Sequence, residues 1–268
     1  MLVNYHCHSS CSHDGHFTMT EMARAALDAG LRSVCFTDHC DLLDGDGLRD
    51  RDPFSWDQEE AQFAAAQAEL GDQIQLRLGV ELGEANQVEP LARKILAHEH
   101  LDFVIGSIHN PINGKDYYFL NYEEEQHCRQ MITDYLLQMQ DLAASDLYDV
   151  LGHITYPLRY MHYRDGVPVD FRGHDEQIRE ILRTVIAAGR GIELNTSGYI
   201  NCGGEPMPPE YMLRIYRELG GEVITIGSDA HIPERMSQGI ADGMELLSSV
   251  GFRYFTIFSG RKPEFIKL

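Results

Sequence analysis

Two hydrophobic patterns alternate along the chain. Short and nearly continuous apolar runs, such as VCFTDH and EVITIGSDAH, indicate strands that are buried on both faces. Longer segments carry apolar residues at helical spacing, as in TEMARAALDAG, which begins with a capping residue and ends at a glycine. The predicted strands are Leu2–His8, Ser33–His39, Gln75–Gly83, Phe103–His109, Val150–Ile154, Gly191–Ser197, Glu222–Ser228 and Tyr254–Phe258.

The order of these segments predicts the fold class. Helical patterns lie between the strands, at residues 20–30, 57–71, 123–144, 178–188, 208–219 and 233–249. Strand–helix alternation repeated about seven times predicts a parallel sheet covered by helices. No linker or internal repeat divides the chain, so we expect a single domain over residues 1–268. The longest irregular stretches are Cys40–Phe54 and Tyr156–His174, and both follow a strand.

Almost every predicted strand ends in a polar residue that can bind a metal. In chain order these residues are His6, His8 and Asp14, then Asp38 and His39, Glu81, His109, His153, Glu193 and Asn195, and finally Asp229 and His231. The carboxyl ends of the strands in a closed parallel barrel converge on one rim, whereas an open sheet would spread them along a line. An open doubly wound sheet also usually has a glycine-rich turn after its first strand, and this chain has HCHSSCSHDGH there. The pattern favours a barrel.

These strand ends predict a polynuclear metal centre. A single histidine after a strand is most simply a hydrogen-bonded residue, but a buried carboxylate is costly unless it is paired or bound to a metal. Oxygen and nitrogen ligands without thiolate fit two or three divalent ions such as zinc, manganese or iron. Glu81 is central in the order and is the natural bridging ligand. Six histidines and three carboxylates at such positions make nine candidate ligands.

A second histidine pair, His98 and His100, repeats the spacing of His6 and His8. This pair follows a helix and precedes a strand, so it belongs to the opposite end of the barrel. We interpret both residues as surface histidines beside Glu99, because positive charge is favourable at the C-terminus of a helix.

The composition argues against a nucleic-acid-binding or membrane-spanning protein. The formal net charge of −20 argues against a nucleic-acid partner, whose phosphates such a surface repels. No apolar run is long enough to span a membrane, and the N-terminus has no signal-peptide pattern. The six cysteines show no disulfide framework. We therefore expect a cytoplasmic protein with reduced thiols and no membrane or nucleic-acid partner; the oligomeric state is not predicted.

The motifs together resemble the PHP (polymerase and histidinol phosphatase) superfamily and, within it, the histidinol-phosphate phosphatases. They are HCHSSCSHDG, FTDH, GVE, GSIH, LGH, ELNTSG and GSDAH, in that order over essentially the whole chain. The resemblance implies a distorted (βα)7 barrel with three divalent ions at the C-terminal rim of the strands. It implies His6, His8, Glu81 and Asp229 at the first ion, Glu81, His109 and His153 at the second, and Asp14, His39 and His231 at the third. His13 is the alternative to Asp14.

The expected reaction is hydrolysis of a small phosphomonoester, with L-histidinol phosphate as the named substrate and histidine biosynthesis as the setting. A hydroxide bridging two ions would attack phosphorus, and Asp229 or a nearby histidine would supply the proton to the leaving alkoxide. Arg159 matches an arginine of the resembling phosphatases and would bind the phosphate. Their usual further arginine, after the ENT stretch, is absent here, where Tyr199 and Asn201 stand. Lys115 or His162 would supply a replacement contact.

Two alternatives remain open at this point. The same centre could hydrolyse another small phosphate monoester or a diester, as in the proofreading PHP domains of bacterial polymerases. The barrel could also be a non-catalytic metal-binding protein. Rates on monoester and diester substrates separate these three functions.

Overall fold

The computed structural model describes residues 1–43 and 54–268. The strands are β1 Val3–Asn4, β2 Ser33–Phe36, β3 His39–Asp41, β4 Gln75–Gly83, β5 Phe103–Ser107, β6 Val150–Leu151, β7 Gly191–Asn195, β8 Ile224–Gly227, β9 Tyr254–Ser259 and β10 Lys262–Lys267. The helices are α1 Met19–Asp28, α2 Trp56–Leu70, α3 Glu89–Leu96, α4 Glu125–Ala144, α5 Tyr156–Leu158, α6 Asp175–Ala187, α7 Gly198–Asn201, α8 Glu210–Glu218 and α9 Ile240–Val250. Tyr117–Phe119 and Pro233–Arg235 form 3-10 turns, and Arg159–Arg164 form a π-helix.

Seven parallel strands form the barrel wall in the order β1-β2-β4-β5-β6-β7-β8. Backbone hydrogen bonds close the wall between the first and last strands: Tyr5 N donates to Ile226 O at 2.9 Å, and Asp229 N donates to His6 O at 2.8 Å. The predicted barrel of βα units is confirmed. Its strands are buried almost throughout, as their continuous apolar runs indicated.

The predicted strand Ser33–His39 is divided into two, and this part of the prediction was wrong. β2 pairs with the first half of β4, and β3 pairs with its second half in the register His39↔Glu81. The break falls at Asp38, whose carboxylate accepts hydrogen bonds from Ser9 N at 2.5 Å and Ser12 Oγ at 2.7 Å. A long-range polar contact therefore interrupts a segment that has strand character over its whole length.

The last predicted strand forms but is not part of the barrel wall. β9 pairs with β10 as an antiparallel hairpin. At its turn Arg261 forms an ion pair with Asp149 at 3.0 Å, and Gly260 N donates to Asp102 Oδ1 at 2.8 Å. Asp102 and Asp149 immediately precede β5 and β6, so the hairpin covers the N-terminal end of the barrel, opposite the rim with the predicted ligands.

The two predicted irregular stretches have different outcomes. Most of Cys40–Phe54 lies outside the described residues. Tyr156–His174, in contrast, begins with helical turns, because α5 continues directly into the π-helix Arg159–Arg164. None of the six cysteines forms a disulfide. Among residues 1–43 and 54–268, every helix is too short or too polar to cross a lipid bilayer.

Candidate metal centre

The Glu81 carboxylate, near the C-terminal end of β4, lies at the middle of the histidine cluster. Its Oε1 lies 2.7 Å from His153 Nε2 and 3.2 Å from His109 Nε2. Its Oε2 lies 3.3 Å from His6 Nε2 and 2.9 Å from His39 Nδ1. Two oxygens of one carboxylate thus face two separate groups of imidazoles, which is the arrangement of a bridging ligand. Ligands about 2.1 Å from a tetrahedral ion lie about 3.4 Å apart, and the distances from Glu81 to His109 and His6 are close to that value.

Residues that follow β1, β5, β6 and β8 complete the two groups around Glu81. Asp229 Oδ1, just after β8, lies 3.3 Å from His8 Nε2 and 3.7 Å from His6 Nε2. His109 and His153, which follow β5 and β6, have their Nε2 atoms 3.5 Å apart. The neighbouring strands of a parallel barrel deliver these side chains to one point, as the strand-end pattern predicted.

A third group lies toward solvent. His231 Nε2 is 3.1 Å from Asp14 Oδ2, and His39 Nε2 is 3.8 Å from Asp14 Oδ1. The Asp14 side chain is 46% exposed, whereas the Glu81 side chain is buried. His13 is exposed and contacts the His39 ring at a centroid separation of 5.1 Å. The structure therefore brings together all nine predicted ligands, with Asp14 facing two of the histidines.

The buried polar atoms of this cluster fit metal ions. Within the described residues, His6 Nε2, His8 Nε2, His231 Nε2 and Glu81 Oε2 are buried and have no hydrogen-bond partner. Unsatisfied buried polar atoms are rare because each one costs free energy. Several of them converging on one point, from imidazoles and a carboxylate, form the donor set that binds divalent transition metals.

Residues behind the histidines fix which ring nitrogen faces the centre. His6 Nδ1 lies 2.6 Å from Glu193 Oε1, His109 Nδ1 lies 2.9 Å from Asp41 Oδ1, and His8 Nδ1 lies 3.1 Å from Ser12 Oγ. An imidazole whose Nδ1–H donates to an oxygen presents the lone pair of Nε2 to a metal. These oxygens favour the tautomer with a proton on Nδ1, which leaves Nε2 of each histidine available to a metal.

Sequence reasoning did not assign these supporting residues to the site. Glu193 stands in the series of strand-end carboxylates, and that position was the available signal for it. Nothing in the sequence indicated a role for Asp41 at the site. It lies on β3, whose pairing with β4 depends on tertiary structure. Glu84, which accepts hydrogen bonds from His109 N at 2.7 Å and Asn110 N at 3.0 Å, was also missed.

Charge is balanced inside this cluster. Burial would raise the pKa of the Glu81 carboxyl, but the surrounding His6, His109 and His39 hold that pKa well below its usual value. The pKa of Asp229 is lowered in the same way, against burial, by His6 and His8. Burial lowers the pKa of His8, and the neighbouring His231 and His39 lower it further. The carboxylates are therefore ionised at neutral pH and available as ligands.

Backbone geometry places the end of β8 close to β1. Asp229 has a positive φ of 54°, a conformation that aspartate tolerates better than most residues. At Gly227 a Cβ atom would overlap His6 Cβ and lie 2.6 Å from Glu193 Oε1. Only glycine leaves room for His6 and its supporting carboxylate at this position.

The three predicted substrate contacts lie in different surroundings. Arg159, in the π-helix, is half-buried with its guanidinium 5.6 Å from the centre of the Tyr160 ring. Burial opposes its charge, but Tyr160 and then the Asp229 carboxylate raise the pKa of Arg159, so the guanidinium is within electrostatic reach of the ligands. Within the described part of the chain it forms no hydrogen bond or ion pair.

Lys115 and His162 are both exposed. Lys115 follows β5 by eight positions, on the same side of the barrel as His109. His162 Nδ1 lies 2.9 Å from Val167 O, and the residue lines a groove of about 360 Å³ that includes none of the nine ligands. A role for either residue in substrate binding stays a prediction.

Comparison with known proteins agrees with this geometry. The PHP domain family matches residues 4–197, a span that contains seven of the nine ligand residues. The chain belongs to the PHP domain family. The expected family is therefore confirmed, including the barrel fold that its motifs implied.

Relatives of this PHP protein match over almost its whole length. It is 28% identical to the histidinol-phosphatase of Lactococcus lactis over 97% of this chain and 95% of that protein. It is 30% identical to the probable histidinol-phosphatase of Deinococcus radiodurans, with 98% of each chain covered. The crystal structure of histidinol phosphate phosphatase from Lactococcus lactis, complexed with zinc, L-histidinol and phosphate, superimposes with a TM-score of 0.83, at 27% identity and 98% coverage of both chains.

Proposed function

We propose that this PHP protein is a metal-dependent phosphatase that hydrolyses L-histidinol phosphate to L-histidinol and phosphate. The observation that carries the proposal is the Glu81 carboxylate, whose two oxygens face separate imidazole groups within 3.3 Å. The similarity to histidinol-phosphatases over almost the whole chain supports the choice of substrate.

Three divalent ions would be held in the groups that the side chains form. Glu81 would be shared between the ion at His6, His8 and Asp229 and the ion at His109 and His153, and Asp14, His39 and His231 would hold the third. Such ions, when bound, lower the pKa of a coordinated water and neutralise the charge of the phosphoryl oxygens. The donor set suits zinc, manganese and iron alike, and zinc is the leading candidate because the Lactococcus structure contains it.

Asp229 would act first as the general base and then as the general acid of the reaction. Its carboxylate is ionised at neutral pH because His6 and His8 lower its pKa against the effect of burial. Oδ1 faces those histidines, and Oδ2 accepts a hydrogen bond of 3.4 Å from Ser197 Oγ. An ionised carboxylate can take a proton from the attacking water at Oδ2 and return it to the leaving alkoxide.

Arg159 would bind the phosphate. Its guanidinium has no carboxylate partner among the described residues, and it lies on the π-helix that follows the strand carrying His153. A planar fork of N–H donors matches two phosphoryl oxygens. Stacking against Tyr160 limits its motion, which reduces the entropy lost when the substrate binds.

A substrate panel tests the proposal. The zinc-loaded protein is given L-histidinol phosphate, p-nitrophenyl phosphate and bis(p-nitrophenyl) phosphate, and released phosphate or nitrophenol is measured. We expect the highest kcat/KM on L-histidinol phosphate, loss of activity in Glu81→Gln, and full activity in Glu264→Gln, which makes the same change on the exposed C-terminal hairpin. Preference for the diester would favour a phosphodiesterase, and no hydrolysis of any substrate would contradict the proposal.

A further inference from the structure

Three further metal-binding side chains converge outside the rim centre. Glu60 lies on α2, and His98 and His100 lie in the connection from α3 to β5. This connection enters β5 at the end opposite His109, so the cluster is at the N-terminal side of the barrel. The sequence interpretation had assigned the two histidines to this side and had paired them with Glu99, but in the structure they face Glu60.

The distances within this cluster suit a metal ion. Glu60 Oε1 lies 3.2 Å from His98 Nε2 and 3.0 Å from His100 Nδ1. Donors about 2.1 Å from a tetrahedral ion lie about 3.4 Å apart, so the donor atoms are already near the required separation. Two imidazoles and one carboxylate are also the ligand set of several zinc sites that keep an open position for water.

The His98 ring is held in place by the surrounding structure. It stacks on Trp56 with a centroid separation of 4.0 Å and an interplanar angle of 6°, and Trp56 Nε1 donates to Ile95 O at 3.2 Å. The His98 side chain is only 15% exposed, and its Nε2 is buried without a hydrogen-bond partner among the described residues. A fixed imidazole with an unsatisfied nitrogen aimed at a carboxylate is part of a preformed ligand set.

Solvent reaches the cluster from the side of Glu60 and His100. The Glu60 side chain is 43% exposed and that of His100 is 75% exposed. An ion can therefore enter from solvent, and water can complete its coordination. An ion pair between Glu60 and protonated His100 explains one of the two contacts, but it does not explain why His98 Nε2 is buried 3.2 Å from the same oxygen without a well-aligned hydrogen bond.

We propose that Glu60, His98 and His100 form a second, mononuclear zinc site that links α2 to the connection between α3 and β5. The site takes a divalent ion that favours imidazole, and its three protein ligands bind independently of the rim centre. It goes beyond the proposed phosphatase function, and neither depends on the other.

Trp56 provides a local readout, because it is the only tryptophan of the chain and contacts His98 directly. Full-length protein is first saturated at the rim centre with zinc, as judged by elemental analysis. Zinc is then titrated further while Trp56 fluorescence and the heat of binding are recorded. We expect one additional ion per chain, with a fluorescence change that saturates together with the heat.

Matched variants decide the assignment. His100→Gln and Glu60→Gln should weaken the additional site by at least about tenfold, since even an outer hydrogen bond to a metal ligand is worth about 10- to 100-fold in affinity. Both positions are partly or largely exposed, so the fold should be retained, which circular dichroism checks. Glu99→Gln removes the same charge next to the site and should leave binding unchanged, and kcat should be unchanged in all three. A wild-type protein with no additional ion, or equal binding in His100→Gln, would overturn the proposal.

Discussion

At the scale of single residues, the site contains two kinds of side chain, the predicted ligands and the groups that orient them. The histidines and Glu81 could be predicted from the sequence because the period of a strand and the convergence of strand ends are local rules with a common geometric result. The choice of Asp14 and Asp229 as further predicted ligands depended on the family resemblance. The orienting groups do not follow from those rules. Asp41 reaches His109 from a strand that exists only through its pairing with β4.

Glu193 is the clearest of the orienting residues, and its substitution gives the first prediction. Glu193→Gln should lower zinc affinity and kcat by about 10- to 100-fold, because the supporting carboxylate on His6 Nδ1 is lost while every ligand remains. KM for the phosphomonoester should change little. Competition with a chelator and steady-state kinetics measure the two effects, and a variant with unchanged zinc affinity would show that Glu193 is not needed to orient His6.

Arg159 is expected to act on the phosphate and not on the metal. Arg159→Met should reduce kcat/KM by roughly 10- to 100-fold, since a hydrogen bond to a charged group contributes about 1.5–3 kcal/mol. Bound metal should stay the same, and Arg159→Lys should recover part of the loss, because it restores the charge without the planar fork. Elemental analysis beside the kinetics separates the roles; loss of metal in Arg159→Met would place the residue in the support of the centre.

At the scale of elements, the strands that carry long apolar runs were predicted best. β4 has the predicted bounds, Gln75–Gly83, because it is buried on both faces and pairs on both sides. β1 and β6 are only two residues long, although each was predicted as a longer strand. Beyond Asn4 the chain still bonds to the end of β8, since Tyr5 N donates to Ile226 O at 2.9 Å and Cys7 forms an isolated parallel bridge with Ala230. The contacts that hold His6 and His8 therefore come from the far end of the chain.

The contact between β8 and β1 gives a prediction about packing. Gly227→Ala should lower the thermal midpoint and zinc content together, because the new Cβ would overlap His6 Cβ and approach Glu193 Oε1. Gly220→Ala is a matched control, since its φ of 91° carries backbone strain of about 1–2 kcal/mol but nothing lies within 4 Å. Thermal unfolding and elemental analysis compare the two. A Gly227→Ala protein with normal zinc content would show that β1 can move without loss of the site.

At the scale of the whole molecule, the barrel brings seven strand ends to one rim and places the C-terminal hairpin at the other end. The sequence predicted the barrel because a closed wall explains polar residues at the ends of almost every predicted strand. It did not predict the hairpin's position, which depends on the ion pair of Arg261 with Asp149, 112 positions away in the chain.

Because the centre joins residues from the first strand to the last, metal removal should destabilise the entire barrel. Saturation at 100 times Kd stabilises a folded protein by about 2.7 kcal/mol per ion. For a chain of this size each ion then contributes roughly 5–11 °C to the thermal midpoint, and chelation removes the contributions of all the ions. Calorimetry before and after chelation measures the shift, and zinc should restore it. An unchanged midpoint in protein shown to be metal-free would mean that the buried ligands are stabilised without ions.

The most direct test of the account is a zinc titration of the metal-free protein in the His100→Gln background, where the proposed second site is weakened. Bound zinc is measured by elemental analysis and phosphate release from L-histidinol phosphate is followed in the same samples. The account predicts no activity without metal and a rise to full activity as three ions bind per chain. Full phosphatase activity in the metal-free protein, or in a Glu81→Gln variant treated in the same way, would contradict it.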